Sequence, residues 1–214
     1  MKTRSVRHAL LRLAFHLLYH QLAFTYDAVA WLVSLGQWKT WGRTALSRVH
    51  GRRVLELGHG PGHLLIALAR SGRAPIGIDL SPDMIRIAQR RIRRERVDVP
   101  QVRCRVQALP FRSGAFDSAV ATFPTEYIVD PATVQEVRRV TNDQGRLVIV
   151  AGAQLTDRKP SARFVDWLYR ITGQSELVPG GHESIFQEMG MPPRIEYETI
   201  GASTVALVIA EKTR

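Results

Sequence analysis

The chain has 214 residues, of which 45% are hydrophobic. This length and apolar content predict one domain with a full core, and they exclude a disordered or fibrous protein. The single cysteine, Cys104, excludes an internal disulfide and a structural zinc site built from thiols. One cysteine fits a reducing, cytoplasmic setting.

The net charge of +11 comes entirely from the first half of the chain. Residues 1–105 hold 19 Lys and Arg against 6 Asp and Glu, whereas residues 106–214 hold 11 against 13. Much of the excess lies in the Arg-rich segment at residues 86–96, a predicted helix. A basic surface attracts nucleic acid, anionic lipid or acidic substrates. Because Arg outnumbers Lys by 26 to 4, compositional bias or heat adaptation explains this helix equally well.

Residues 4–24 have the pattern of a wide apolar helix with a narrow basic stripe. The stripe repeats every four residues and consists of Arg4, His8, Arg12, His16 and His20. The stripe interrupts the hydrophobic region that a signal peptide needs, and no apolar run reaches the ~18 to 20 residues of a membrane span. Two compatible interpretations remain, an interfacial helix on a membrane or a lid over the core. Metal ligation is disfavoured because no carboxylate joins the histidines.

The strongest local signal is the segment RVLELGHGPG at residues 53–62. It predicts a strand that ends near Glu56, a tight turn and then a helix, and its glycines alternate at Gly58, Gly60 and Gly62. Glycine permits positive φ and lets a ligand approach the backbone, while the helix start offers unpaired N–H groups. A dinucleotide fold would need glycine where His63 stands. The turn therefore predicts a nucleoside-bearing ligand of another kind.

A second apolar strand, predicted over residues 74–80, ends near Asp79. A carboxylate at this place can accept hydrogen bonds from both hydroxyls of a ribose. Ser81 and Pro82 then predict the N-cap and first position of a helix.

These two segments resemble the class I S-adenosylmethionine (SAM) methyltransferases. The motif E/D-x-G-x-G-x-G matches residues 56–62, and D-x-S-x-x-M matches residues 79–84. The resemblance implies an α/β, Rossmann-like, seven-stranded sheet that is mostly parallel with an antiparallel last strand. It also implies SAM as the cofactor, S-adenosylhomocysteine (SAH) as its product, and no metal.

The resemblance further implies the residues that contact the cofactor. In relatives an acid or an amide precedes Ala beside the adenine, and Gln107 stands here in place of the commoner Asp and offers both a donor and an acceptor. Met84 is predicted to pack against the adenine or equally in the core. The complete predicted set is Tyr26, Glu56, Gly58, His59, Gly60, Gly62, Asp79, Leu80, Met84, Gln107, Ala108, Leu109, Thr122 and Phe123.

Residues 26–41 resemble the N-terminal signature of the ubiquinone and menaquinone biosynthesis C-methyltransferases. Five positions match, namely Tyr26, Asp27, Ser34, Gly36 and Trp41. The signature's Asn and His are replaced by Ala and Trp at positions 30 and 38, and the acid expected after the fifth strand is missing at 151–153. The resemblance implies that this segment covers the cofactor, although its tryptophans are also explained as aromatic core.

The predicted organisation is a helical lid over residues 1–48, followed by a SAM-binding domain over residues 49–214. Further strands are predicted at 101–106, 116–123, 146–151, 194–200 and 203–212, and helices at 131–141 and 183–190. An insertion with a helix, at about 156–181, is expected to roof the acceptor pocket.

The predicted function is SAM-dependent methylation of a small or lipid-like acceptor, either a quinone precursor or an amine phospholipid headgroup. The basic N-terminus suggests a cytoplasmic enzyme peripheral to the inner face of the membrane. Candidate catalytic residues that can reach the carboxyl edge of the sheet are Glu126, Tyr127, Tyr26 and His182.

Two alternatives stay open at this stage. Nucleic-acid methylation is suggested by the charge but disfavoured, because residues 122–125 lack the Pro-Pro-aromatic motif of amino-group nucleic-acid methyltransferases. The other alternative is a SAM-binding protein without catalysis.

Overall fold

The computed structural model describes residue 34 and residues 36–155 and 183–213. Its strands in these ranges are β1 (Arg53–Leu57), β2 (Ala74–Asp79), β3 (Gln101–Arg103), β4 (Phe116–Thr122), β5 (Thr141–Leu155), β6 (Pro193–Ile200) and β7 (Ser203–Glu211). The helices wholly within them are α1 (Trp38–Arg43), α2 (His63–Arg70), α3 (Pro82–Arg94), α4 (Pro131–Val140) and α5 (Glu183–Glu188). Two 3-10 helices span Thr44–Ser47 and Glu126–Val129. The predicted N-terminal helix at 4–24 and the insertion at 156–181 lie outside the described residues.

The strands form one sheet in the order β3-β2-β1-β4-β5-β7-β6. Neighbouring strands from β3 to β5 are parallel, while β7 runs antiparallel to both β5 and β6. This arrangement confirms the predicted Rossmann-like sheet with its reversed closing strand. Because β2 and β4 pair with opposite sides of β1, the strand order reverses direction at β1.

The central strands are apolar because both faces of the sheet are covered. Leu55 and Leu57 pack into one buried cluster, and Val54 packs into another on the opposite face. The second cluster includes Trp41 and Ala45, both without exposed surface. Residues 38–48 therefore contribute to the core, while the domain boundary at residue 48 stays a prediction.

Helix α3 begins as the sequence predicts. The Ser81 hydroxyl accepts a hydrogen bond from the Met84 N–H at 3.3 Å, and Pro82 occupies the first helical position. Helix α4 uses the same chemistry, since the Asp130 carboxylate accepts from the Ala132 N–H at 2.9 Å and Pro131 follows. Both helix starts face the carboxyl edge of the sheet.

Two strand predictions differ from the structure by three residues or more. Strand β3 stops at Arg103 rather than residue 106, because the next residues turn along the edge of a cavity. Strand β5 runs from Thr141 to Leu155 rather than over 146–151, since β7 pairs with it as far as Leu155. Residues 142–145 lie within this strand at a shift of register between the pairs Phe116↔Thr141 and Ser118↔Arg146.

Within the described ranges, no helix combines the length and apolar character that crossing a membrane requires.

Candidate functional site

A cavity of about 490 Å³ opens at the carboxyl edge of β1, β2 and β4. Ligands of open α/β sheets bind where the strand order reverses, and this volume lies within the ~300–1,000 Å³ range of ligand pockets. We call residues 58–62, 78–80 and 104–107 the β2 side of the cavity. The β4 side consists of α1 and residues 122–125.

The glycine loop at residues 58–62 brings the backbone to the cavity wall. Gly58 and Gly60 have φ values of 63° and 52°, in the left-handed region that favours glycine. A Cβ on Gly58 would lie 2.7 Å from the Tyr127 hydroxyl, whereas a Cβ on Gly60 would meet nothing within 4 Å. Gly58 is therefore required by packing, and Gly60 leaves open space in which a ligand can touch the backbone.

Asp79 fixes this loop to the end of β2. Its Oδ2 accepts from the Gly60 N–H at 2.9 Å, and its Oδ1 accepts from the Ser81 N–H at 2.8 Å. Each carboxylate oxygen has a second lone pair, so the group can still accept hydrogen bonds from a ligand. The carboxylate is thus held in place to meet a diol.

Glu56 is almost completely buried, with 1% of its surface exposed, and it lines the cavity. Burial raises the pKa of its carboxyl group well above the ordinary value, and the charge of Asp79 adds to this, while the Leu65 N–H opposes it. Its Oε2 has no hydrogen-bond partner in the described part of the chain. A ligand ammonium would satisfy this oxygen, so the site fits the amino-acid end of SAM.

His59 shapes the loop from within. Its Nδ1 lies 2.7 Å from the Gly60 carbonyl oxygen, a contact that requires the proton on Nδ1. Burial lowers the pKa of the imidazole, so the ring is neutral at pH 7. A Cβ on Gly77 would lie 2.8 Å from the ring. His59 therefore depends on the glycine in β2 to make room for it.

The residues after β3 form the end of the β2 side. Gln107 lines the cavity, and its Nε2 donates to Asp130 Oδ2 at 3.0 Å. Ala108 is exposed, and Leu109 is buried with its N–H donating to Glu136 Oε2 at 2.7 Å. Neither Ala108 nor Leu109 is among the cavity-lining residues.

Leu80 and Met84 differ in whether they line the cavity. Leu80 lines the cavity and has 57% of its surface exposed, which is high for a leucine. Met84 has no exposed surface and is not among the lining residues. Its position favours the core role, one of the two roles that the sequence left open.

The β4 side carries aromatic rings and cations. Phe123 adopts a φ of 48°, which is unusual for a bulky residue, and its ring lies 3.9 Å from that of Trp38 between centroids. Its N–H donates to the Val150 carbonyl at 2.8 Å, which holds the strained backbone in place. Thr122 lines the cavity beside it, and the exposed Lys39 and Arg43 of α1 border the same side.

Of the four predicted catalytic residues the structure describes two, and of these Tyr127 lines the cavity whereas Glu126 does not. The Tyr127 hydroxyl donates to the Leu57 carbonyl at 3.2 Å, so this side chain supports the glycine loop. Glu126 is exposed and is not among the lining residues. Tyr26 and His182 lie outside the described residues. A catalytic role for these four residues stays a prediction.

Sequence reasoning missed two cations at this cavity. Arg43 reaches it from the end of α1, and Arg105 reaches it from the loop after β3. Both residues were visible only as part of the basic excess in the first half of the chain. Trp38 was expected in the core of a lid but lines the cavity, whereas Trp41 is fully buried.

Comparison with known proteins places these features in context. Residues 54–145 match the family model described as a methyltransferase domain. A demethylmenaquinone methyltransferase of Mycobacterium sp. (strain KMS) is 32% identical over 162 residues, covering 71% of this chain and 68% of the relative. Another, of Symbiobacterium thermophilum, is 24% identical over 237 residues, 92% of each chain.

A solved structure has a similar fold. The geranyl diphosphate C-methyltransferase of Streptomyces coelicolor A3(2), in complex with Mg²⁺, geranyl diphosphate and SAH, superposes with a TM-score of 0.60. The alignment covers 81% of this chain and 79% of that one at 17% identity.

Proposed function

We propose, from the premise that this chain belongs to the class I SAM-dependent methyltransferases, that it methylates a ring carbon of a lipid-tailed quinone precursor. The observation that carries the proposal is the β4 side of the cavity. There the rings of Trp38 and Phe123, which pack with their planes tilted by 33°, lie next to the cations of Lys39 and Arg43. Relatives named demethylmenaquinone methyltransferases support the same class of acceptor.

The aromatic pair suits a planar acceptor. Offset or tilted packing of an aromatic ring against Trp38 and Phe123 would contribute ~0.5–1.5 kcal/mol beyond apolar burial. Such packing holds the acceptor ring in one plane and excludes water from one face. Orientation of this kind is the main contribution that the protein makes when the cofactor carries the reactive group.

The two cations suit an acceptor that reacts through an electron-rich ring. SAM, when bound, supplies an activated methyl group. A hydroquinone carbon becomes nucleophilic when the neighbouring hydroxyl loses its proton, and a nearby ammonium or guanidinium lowers the pKa of that hydroxyl. Lys39 and Arg43 would stabilise the resulting oxygen anion. The ring then loses its hydrogen as a proton and gains the methyl group.

An amine phospholipid headgroup is less well supported by the described cavity. An ammonium acceptor needs carboxylates or an aromatic cage. Among the lining residues that the structure describes, the carboxylates are Glu56 and Asp79, and both lie next to the glycine loop. The described part of the β4 side offers the rings of Trp38 and Phe123, but the cations of Lys39 and Arg43 beside them would repel an ammonium.

The acceptor class is tested with purified protein and SAM labelled in its methyl group. We expect label in demethylmenaquinone that has been reduced to its quinol, and none in the oxidised quinone, whose ring is not nucleophilic. Vesicles of phosphatidylethanolamine and total RNA serve as competing acceptors. Label in the phospholipid or in RNA, with the quinol unlabelled, would overturn the proposal.

We also propose that the enzyme works in the cytoplasm at an anionic membrane surface, through the basic helix predicted at residues 4–24. The narrow basic stripe along its wide apolar surface supports this. Deleting residues 1–20 should abolish cosedimentation with vesicles that contain phosphatidylglycerol. Binding to neutral phosphatidylcholine vesicles is the control. Unchanged binding of the truncated protein to the anionic vesicles would refute the membrane role.

A further inference from the structure

The amide of Gln107 is held in one orientation by its neighbour. Its Nε2 donates to Asp130 Oδ2 at 3.0 Å. A carboxylate can only accept hydrogen bonds, so it can hold only the NH₂ group of a glutamine. The carbonyl oxygen of Gln107 must therefore point away from Asp130. In the described part of the chain this oxygen makes no hydrogen bond.

Asp130 is itself fixed by the start of α4. Its Oδ1 accepts from the Ala132 N–H at 2.9 Å, and its own N–H donates to the Tyr127 carbonyl at 3.3 Å. The negative carboxylate is also favoured at a helix N-terminus. The two oxygens of Asp130 thus have separate tasks, one to cap the helix and one to hold Gln107.

Gln107 lines the part of the cavity where the base of the cofactor would lie. In the sheet Asp79 pairs with Arg103, so the residues that follow Arg103 lie next to the proposed ribose site. On the other side of Asp79 stands Glu56, whose Oε2 has no hydrogen-bond partner among the described residues and could meet the ammonium of SAM. The adenine consequently extends towards residues 104–107, where Leu80 and Val106 provide apolar surface.

We infer that Asp130 is a positioning residue that turns the Gln107 carbonyl oxygen towards the 6-amino group of the adenine. Without Asp130 a glutamine could present either its donor or its acceptor to the base. With Asp130 it presents only an acceptor. The site therefore favours a 6-amino purine and rejects a 6-oxo purine, whose oxygen would face another oxygen. The inference rests on the SAM cofactor and not on the proposed acceptor.

The test compares the affinities of the full chain for SAH and for S-inosylhomocysteine, which differs only in the 6-oxo group. Calorimetric titration without any methyl acceptor gives both dissociation constants, so failure of the quinone proposal would not affect the result. We expect the unmodified protein to prefer SAH by about tenfold to 100-fold, the usual effect of an unsatisfied or opposed polar pair.

The decisive variant is Asp130→Asn. The Asn oxygen can still cap α4, but its NH₂ group would face Gln107 and turn the amide round. The preference for SAH should then fall by about tenfold or more, with S-inosylhomocysteine bound more tightly than before. An equal loss of affinity for SAH and for S-inosylhomocysteine would show that Asp130 has a structural role only, and it would overturn the inference. The exposed Asp98→Asn serves as the charge-matched control and should keep the original preference.

A second variant keeps the inference falsifiable if Asp130→Asn unfolds. Gln107→Met removes the amide while preserving length and volume, and it leaves Asp130 to cap the helix. The two ligands should then bind within about threefold of each other, because no oxygen remains to select the 6-amino group. A Gln107→Met protein that still prefers SAH to the original extent would show that Gln107 does not select the base.

Discussion

The two sides of the cavity are built in different ways. On the β2 side, loop geometry and backbone hydrogen bonds fix the site, with Gly58 and Gly60 at positive φ and Asp79 tied to two backbone amides. On the β4 side, side chains form the wall, with Trp38 against Phe123 and the exposed Lys39 nearby. The β2 side is rigid, because moving its loop would break the hydrogen bonds of Asp79 at the edge of the sheet. We therefore expect it to fit one cofactor. The β4 side is built from side chains, so we expect a few substitutions on α1 and after β4 to change which acceptor it binds.

The charges of the two sides differ as well. Both lining carboxylates of the described cavity, Glu56 and Asp79, belong to the region of the glycine loop, where they suit an ammonium and a ribose. Lys39 and Arg43 border the β4 side and suit an oxygen that carries negative charge in the reaction. Variants on each side should therefore affect different measured quantities.

The largest expected effect comes from Asp79→Ala, on the β2 side. The substitution removes the proposed acceptor of the ribose hydroxyls and also frees the Gly60 N–H. Two hydrogen bonds to a charged group are worth about 3–4 kcal/mol together, so the affinity for SAH should fall on the order of 100-fold or more. Calorimetry measures it directly. Asp83→Ala, four residues away and outside the lining, should bind SAH normally, and wild-type affinity of Asp79→Ala would show that Asp79 does not hold the ribose.

A smaller effect is expected from pH, through Glu56. Its pKa in the folded protein is raised, so the ligand-free protein keeps the Glu56 carboxyl protonated at pH values where an unfolded glutamate is already ionised. The contribution of this proton to the free energy of unfolding is lost as pH rises through the folded-state pKa. A ligand ammonium favours the ionised carboxylate and so expels the proton. Affinity for SAH should therefore rise with pH, by at most about tenfold per pH unit, until pH passes the raised pKa of Glu56 in the free protein.

The Glu56→Gln variant should lose this pH dependence, since it has no proton to release. Methylthioadenosine is the matched control ligand, because it lacks the ammonium. Its affinity should show no pH dependence that the Glu56→Gln substitution removes. A slope that survived in Glu56→Gln would assign the proton to another group.

The β2 side could be predicted from the sequence because its chemistry is local. Alternating glycines require a tight turn, and an acid at the end of a strand faces the same edge as that turn, so Gly58, Gly60 and Asp79 were found from spacing alone. The helix start at Ser81 also follows from local chemistry. The mostly parallel seven-stranded sheet with its antiparallel last strand was predicted from the family resemblance, and the structure confirms it.

The β4 side depends on contacts between distant parts of the chain, which spacing does not encode. Tyr127 lines the cavity, and its hydroxyl donates to the carbonyl of Leu57, 70 residues earlier, a contact that the sequence pattern did not predict. Arg43 lines the cavity from α1, which packs through Trp38 against Phe123, the residue that follows β4. The positive φ of Phe123 has no sequence signal, since neither glycine nor asparagine stands there.

The smallest effect, and the one that separates the two sides, is expected from Trp38→Leu. The substitution keeps an apolar residue in α1 but removes the ring that packs 3.9 Å from Phe123. Loss of one aromatic contact should raise the KM for the quinol by up to about tenfold. The dissociation constant of SAH should change less than about twofold, because Trp38 contacts the β4 side. Steady-state kinetics and calorimetry on the same preparation give both values, and the exposed Tyr197→Leu on β6 is the aromatic control. Equal losses in acceptor and cofactor binding would mean that α1 supports the whole cavity and that the two sides are not independent.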